Sequence, residues 1–119
     1  MNVETRPYVD RSAHYLSQAS EEFTRGDLLQ ASEKGWGATA QMVKAVAEER
    51  GWEHRRHANL FEVVRRVVAE TGDQALWLSF GAAGDLHTNF YEGVMGESDV
   101  AYHLEQVTQF VDKVRGLLD

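Results

Sequence analysis

Four glycines, Gly26, Gly51, Gly72 and Gly96, each stand just beyond a run of apolar residues with a 3.6-residue period, and they cut the chain into five helix-sized segments. Glycine readily takes the left-handed conformation that ends a helix, and apolar residues at i, i+3, i+4 and i+7 mark one buried helical face. No segment alternates apolar and polar residues over a strand length, so no strand competes. At 119 residues the chain makes one domain that buries roughly 65% of its unfolded surface, without linker, repeat or low-complexity tract. The predicted fold is all-α: an antiparallel, up-and-down bundle of about five helices in a single domain over residues 1–119, with a flexible N-terminus at 1–7.

The first helix is expected from about Tyr8 to Arg25, behind Pro7, with Val9, Ala13, Leu16, Ala19 and Phe23 on its inner side. Asp27 caps the second, with Gln30 reaching back as the fourth residue of a capping box, and Leu29, Ser32, Trp36, Ala40, Val43 and Ala47 point inward as far as Arg50. The third spans about Arg56 to Thr71 around Leu60, Phe61, Val64, Val67 and Val68. Asp73 caps a fourth helix with the stripe Leu76, Phe80, Ala83, Leu86, Phe90 and Val94, and Ser98 or Asp99 opens the last. Gly35, Gly37, Gly81 and Gly84 fall inside helices, where each costs about 0.5–1 kcal/mol relative to alanine. They either let the second and fourth helices approach closely beside Trp36, or open a cleft under Trp36 for a flat ligand.

The chain has no cysteine, which excludes disulfides, thiolate metal sites and a cysteine nucleophile, and fits a reducing cytoplasm. The first residues contain no apolar leader, and no stretch approaches the ~20 apolar residues of a membrane span, so a cytoplasmic protein without membrane contact is expected. With 19 acidic against 12 basic residues the net charge is −7, which argues against a general electrostatic grip on nucleic acid. One local exception exists. Residues 50–66 hold Arg50, Arg55, Arg56, Arg65 and Arg66 with His54, His57 and Trp52, interleaved with Glu48, Glu49, Glu53 and Glu62 nearby. That island is either a solvated face of mutually paired charges or a phosphate site with Trp52 as a stacking surface.

Two stretches carry a resemblance. Gly26-Asp27, Gln30-Ala31-Ser32-Glu33-Lys34 and Trp36-Gly37-Ala38, with Leu86-His87-x-Asn89-Phe90-Tyr91-Glu92 later, resemble the PaREP-type family of small helical proteins, itself similar to the HEPN superfamily. The likeness extends from about Tyr8 to Leu118. It implies a HEPN-like bundle of four core helices plus one, assembled as a homodimer. It also implies one of two activities: a metal-independent ribonuclease toxin with a nucleotidyltransferase partner, or a non-catalytic module that binds RNA, a nucleotide or a partner protein. Ribonuclease members carry an Arg followed by four to six residues and a His, a pair able to activate a ribose 2′-hydroxyl and stabilise the phosphorane. Before His87 those positions are Ala82, Gly81 and Phe80, so the helix expected to hold the pair lacks its arginine. Arg50 and His57 match the spacing elsewhere and are the candidate catalytic residues, although with nine arginines and five histidines about one such match arises by chance.

The candidate ligand-binding residues are Lys34, Trp36, His87, Asn89 and Tyr91. His87 and Tyr91 are i, i+4 neighbours on the fourth helix and offer an imidazole and a phenol beside the core stripe, either as a buried packing contact or dimer seam or as a ligand surface. Glu33 or Lys34 could meet His87 or Asn89 across the bundle. His54 and His57 with Glu53 lack a third ligand at fixed spacing, so no metal site and no cofactor are expected. The preferred function is a non-catalytic homodimeric binding module for RNA, nucleotide or a partner protein, followed by the ribonuclease, then by a structural interaction protein docking through Trp77, Leu78 and Tyr91.

Overall fold

The computed structural model describes all residues 1–119, and five α-helices account for about four-fifths of them: α1 Arg6–Thr24, α2 Leu28–Arg50, α3 His57–Thr71, α4 Ala75–Glu92 and α5 Glu97–Arg115. The helix boundaries follow local chemistry. Asp27 accepts a hydrogen bond from the Gln30 N–H at 3.0 Å, as the capping pattern requires. The reciprocal half of the box is not made, because the Asp27 N–H is already donated to Glu22 O at 2.9 Å in the turn that closes α1. Gly51 ends α2 at φ +73°, where the Trp52 N–H donates to Ala47 O at 2.8 Å. Gly96 does not end α4. Gly93 does so at φ +64°, and Gly96 is instead the N-cap of α5, its N–H donating to Asp99 Oδ2 at 3.0 Å. Val94, expected in the apolar stripe of α4, therefore lies beyond the helix and is exposed.

Packing centres on α2, which contacts all four other helices and buries 12 of its 23 residues. Its small residues make this possible: Ala31, Ala38, Ala45 and Ala47 are fully buried and let neighbours approach from several sides. The buried hydroxyls satisfy themselves locally, Ser32 Oγ donating to Leu28 O at 2.7 Å and Thr39 Oγ1 to Gly35 O at 3.2 Å. Ser12 of α1 donates to Ala38 O at 2.7 Å, so a serine occupies an inner position of α1, whereas Ala13 is exposed. Leu29 is likewise turned out to solvent.

Cross-helix contacts fix the direction of each element. Ser12 with Ala38, and His87 with Glu33 and Trp36, run α1 and α4 antiparallel to α2. His103 with Asp85 and Phe110 with Phe80 run α5 antiparallel to α4. Phe61 with Phe80 and Arg65 with Trp77 do the same for α3. It follows that α2 and α3, though consecutive, run in the same sense: α3 begins against Trp36 and ends with Glu70 on Arg50. Residues 51–56 must therefore travel back along the bundle, which they do past Tyr8 and Glu48.

The helix-interior glycines have separate reasons. A Cβ on Gly35 would sit 2.7 Å from Leu104 and 3.0 Å from Leu86, and one on Gly37 would sit 3.2 Å from the Tyr15 ring, so these two admit α4, α5 and α1 against α2. A Cβ on Gly81 or Gly84 would meet nothing within 4 Å, so neither glycine serves a close approach of α2 and α4. Alanine at position 81 is accordingly expected to stabilise the fold by about 0.5–1 kcal/mol through helix propensity. At Gly51, alanine is expected to cost about 1–2 kcal/mol, since it would be held in the left-handed region. Urea denaturation of the two variants, with opposite shifts in midpoint, checks both signs.

Candidate functional site

One surface gathers ionisable and aromatic side chains from three helices. Trp36 of α2 forms its floor, almost fully buried, and two imidazoles cover the indole. His87 of α4 stacks on it with ring centroids 5.1 Å apart and planes at 28°, and His57, the first residue of α3, lies tilted on it at 5.4 Å. The two imidazoles are 6.0 Å apart. Tyr91 stands edge-on to His87 at 5.5 Å and is 72% exposed, forming one rim. Phe61 and Phe80, 5.2 Å apart and perpendicular, close the deep end. Aromatic pairs in these offset and edge-on arrangements contribute about 0.5–1.5 kcal/mol each beyond area burial, which fixes the rings in place.

Glu33 of α2 sets the chemistry of His87. Its Oε1 lies 2.9 Å from His87 Nδ1, and both side chains are about one-third exposed. A carboxylate only accepts, so the contact places a proton on Nδ1 and leaves Nε2 of a neutral ring free to accept one. His57 has no hydrogen-bonding partner within the protein and remains open to solvent. Together the pair offers one oriented imidazole and one free one, the arrangement needed to hold a phosphate or to exchange protons across it.

The entry to α3 adds positive character. Arg56 occupies the N-cap position, where its side chain has no acceptor to offer the first-turn N–H groups. Asn59 Oδ1 accepts from the Arg56 N–H at 2.9 Å and holds the turn. Arg55 and Arg56 form no salt bridge, whereas the rest of the arginine island is neutralised. Arg50 pairs with Glu49 and Glu70 at 3.2 Å each, and Arg65 and Arg66 reach Glu62 at 3.6 and 3.5 Å. Trp52 is flanked by Arg50 and Arg66, 5.8 and 5.1 Å from its ring, which occupies it as a stacking surface.

Trp36, His87 and Tyr91 thus come together as one group, joined by His57 and Glu33. Lys34 does not join them: its ammonium lies over the Tyr15 ring at 5.4 Å, on the α1 side of α2. Asn89 faces inward, its Nδ2 donating to buried Ser32 Oγ at 3.0 Å and its Oδ1 accepting from the Met95 N–H at 2.8 Å, so every strong contact it makes ties α4 to α2 and to the 93–96 turn. Arg50 and His57 are not partners. Arg50 stands fourteen residues, roughly 20 Å of helix, along α2 from the Trp36 that His57 covers. The meeting of His57 with His87 is absent from any local spacing. It follows from the antiparallel contact of Phe61 with Phe80, counting one turn back along α3 and two turns forward along α4. No group of three or more His, Cys, Asp or Glu residues is disposed to hold a metal ion.

The fold and this surface define a small helical-bundle protein with two imidazoles packed on a buried tryptophan. The chain belongs to the archaeal PaREP1/PaREP8 family, whose model matches residues 7–111. The bundle is similar to the crystal structure of a protein from Sulfolobus solfataricus, with a TM-score of 0.82 over 92% of this chain and 97% of that one at 23% identity, a likeness of fold alone. No curated protein matches the chain. No helix is long and apolar enough to cross a membrane.

Asn89→Ala is expected to destabilise the protein by about 1–3 kcal/mol, because it removes the donor to the buried Ser32 oxygen and orphans the Met95 N–H, while Ser32 keeps its own bond to Leu28 O. Chemical denaturation measures the loss, and amide hydrogen exchange should show the 93–96 turn opening first.

Proposed function

We propose that the protein is a non-catalytic, HEPN-like module that binds a nucleotide or RNA at the His57–His87 surface and works as a homodimer. The observation that carries this reading is the pair of imidazoles 6.0 Å apart on Trp36, one oriented by Glu33, with ion-pair-free Arg55 and Arg56 at the adjoining helix start. An acidic protein that leaves two arginines unpaired beside exposed aromatic rings offers what a phosphate with an attached base needs: local positive charge and flat apolar faces. The homodimer is supported by apolar surface that one copy leaves bare, an open groove of about 420 Å³ between α1 and α5 lined by Leu16, Phe23 and Leu104. Trp77 is half-buried under the Arg65 guanidinium, whereas Leu78 and Tyr91 are exposed.

The test is quenching of tryptophan emission, with Trp36 under the site, by adenosine 5′-monophosphate and by a short single-stranded RNA. Saturable quenching is expected, with His57→Ala and His87→Ala each weakening affinity about tenfold, or about 1.4 kcal/mol. Native mass spectrometry of the freshly purified protein should show twice the 13.4 kDa chain mass. Absence of binding by both ligands overturns the reading.

One observation favours a second reading, metal-independent RNA cleavage of the kind found in toxin pairs. The Glu33–His87 contact leaves His87 Nε2 able to take a proton from a 2′-hydroxyl while His57, protonated, gives one to the leaving oxygen. RNA degradation in chelator, abolished in His57→Ala and in His87→Ala with the helical circular dichroism unchanged, would establish that reading over the first.

A further inference from the structure

The two imidazoles that cover Trp36 are held in different ways. His87 stands within α4, and Glu33 fixes its ring through the 2.9 Å contact at Nδ1. His57 makes no hydrogen bond and no ion pair, and it opens α3, whose first buried residue is Leu60. The segment that delivers His57 is tied down at few points. On one side Trp52 is fixed by its N–H, which donates to Ala47 O at 2.8 Å. Beyond it, Glu53, His54 and Arg55 make no backbone hydrogen bond at all. Their one side-chain hydrogen bond runs from His54 Nε2 to Glu48 Oε2 at 2.7 Å, with the Tyr8 ring edge-on to His54 at 5.5 Å. Among the helices, α3 itself touches only α2 and α4. A stretch with so few bonds and so little burial opens at a lower free energy than the core it crosses.

We propose that residues 53–59 form a gate over Trp36, latched by the His54–Glu48 bond, that swings His57 off the indole and admits a flat aromatic ring in its place. On the nucleotide reading that ring is the base, and this part of the proposal rests on that reading; the gate itself does not. The indole is 9% exposed beneath the two imidazoles, so no ring can stack on it while both remain. One of them has to yield. His87 leaves only by breaking its bond to Glu33, whereas His57 gives up ring contacts alone, with Trp36 at 5.4 Å, His87 at 6.0 Å and Phe61 at 5.6 Å. A base in the vacated position makes contacts of the same kind. The latch lies far from this surface. Glu48 stands twelve residues, roughly 18 Å of helix, along α2 from Trp36, so a change at Glu48 reaches the site only through the segment.

The experiment labels the full-length protein with 5-fluorotryptophan and follows its three fluorine resonances, that of Trp36 being the one lost in Trp36→Phe. The Trp36 signal is expected to exchange with a minor, solvent-exposed state. Glu48→Ala and His54→Ala, which cut the latch from opposite sides, should each raise the population of that state at least fivefold and speed amide exchange in the first bonded turn of α3. The Trp77 signal and the helical circular dichroism should stay as they were. Glu48→Gln, whose amide oxygen still accepts from His54, should behave as the unaltered protein does. Adenosine 5′-monophosphate should move the Trp36 signal away from its closed position and bind Glu48→Ala several-fold tighter, because the competent state is no longer rare. An unchanged Trp36 signal in both Glu48→Ala and His54→Ala overturns the gate, whether or not the nucleotide binds. Binding that leaves the Trp36 signal at its closed position overturns the entry of the base there while nucleotide binding stands. Opening in these variants with no response to the nucleotide supports the gate and overturns the nucleotide as its ligand.

Discussion

The burial of α2 on nearly every side is the constraint on which the rest of the molecule depends. A helix surrounded by four others cannot carry large side chains all round, and this one meets the demand with alanines, Gly35 and Gly37 where neighbours press closest. It also cannot carry free polar groups, and its buried Ser32 and Thr39 hydroxyls bond to carbonyls one turn back. Trp36 is the one large aromatic of this helix. With α1, α4 and α5 already packed against small residues, the indole is left in the gap between α3 and α4, and that gap is where the imidazoles meet.

The segment 51–56 turns this packing into a site. A short link would have laid α3 antiparallel to α2 and placed His57 near Arg50 at the end of the bundle. The chain instead returns along the bundle, His54 meeting Glu48 at 2.7 Å and the Tyr8 ring at 5.5 Å, and starts α3 beside Trp36. The far part of α3 then lies among paired arginines, its own Arg65 and Arg66 on Glu62 and Arg50 of α2 on Glu49 and Glu70, while its start brings unpaired Arg55 and Arg56 to His57. An arginine cluster that looks continuous in sequence is thus divided by tertiary structure into a structural half and an open half.

Much of the helix pattern was legible in the residues because it is set by interactions within a few positions. Gly26, Gly51 and Gly72 stop helices in the left-handed conformation, and Asp27 caps α2. Gly96 misled because a glycine suits an N-cap as well as a terminator, and Val94 looked like one more stripe residue although Gly93 had already ended the helix. Of the five residues expected to bind a ligand, Trp36, His87 and Tyr91 lie together. Lys34 and Asn89, expected with them, turn elsewhere, because which way a side chain beside the core stripe points depends on its neighbours: Lys34 goes to Tyr15, and Asn89 to Ser32 and the Met95 N–H.

The sequence by itself determined five helices, the ends of several of them and an all-α bundle, since hydrogen bonds one turn apart and a 3.6-residue apolar period need no knowledge of the rest of the chain. Only the tertiary structure decided that α3 runs in the same sense as α2, that His57 joins His87 instead of Arg50, and that Gly84 borders empty space where Gly35 is filled. Those outcomes depend on contacts between residues twenty or more positions apart. Their selection comes from the packing of whole helix faces around α2, a quantity that no local spacing encodes.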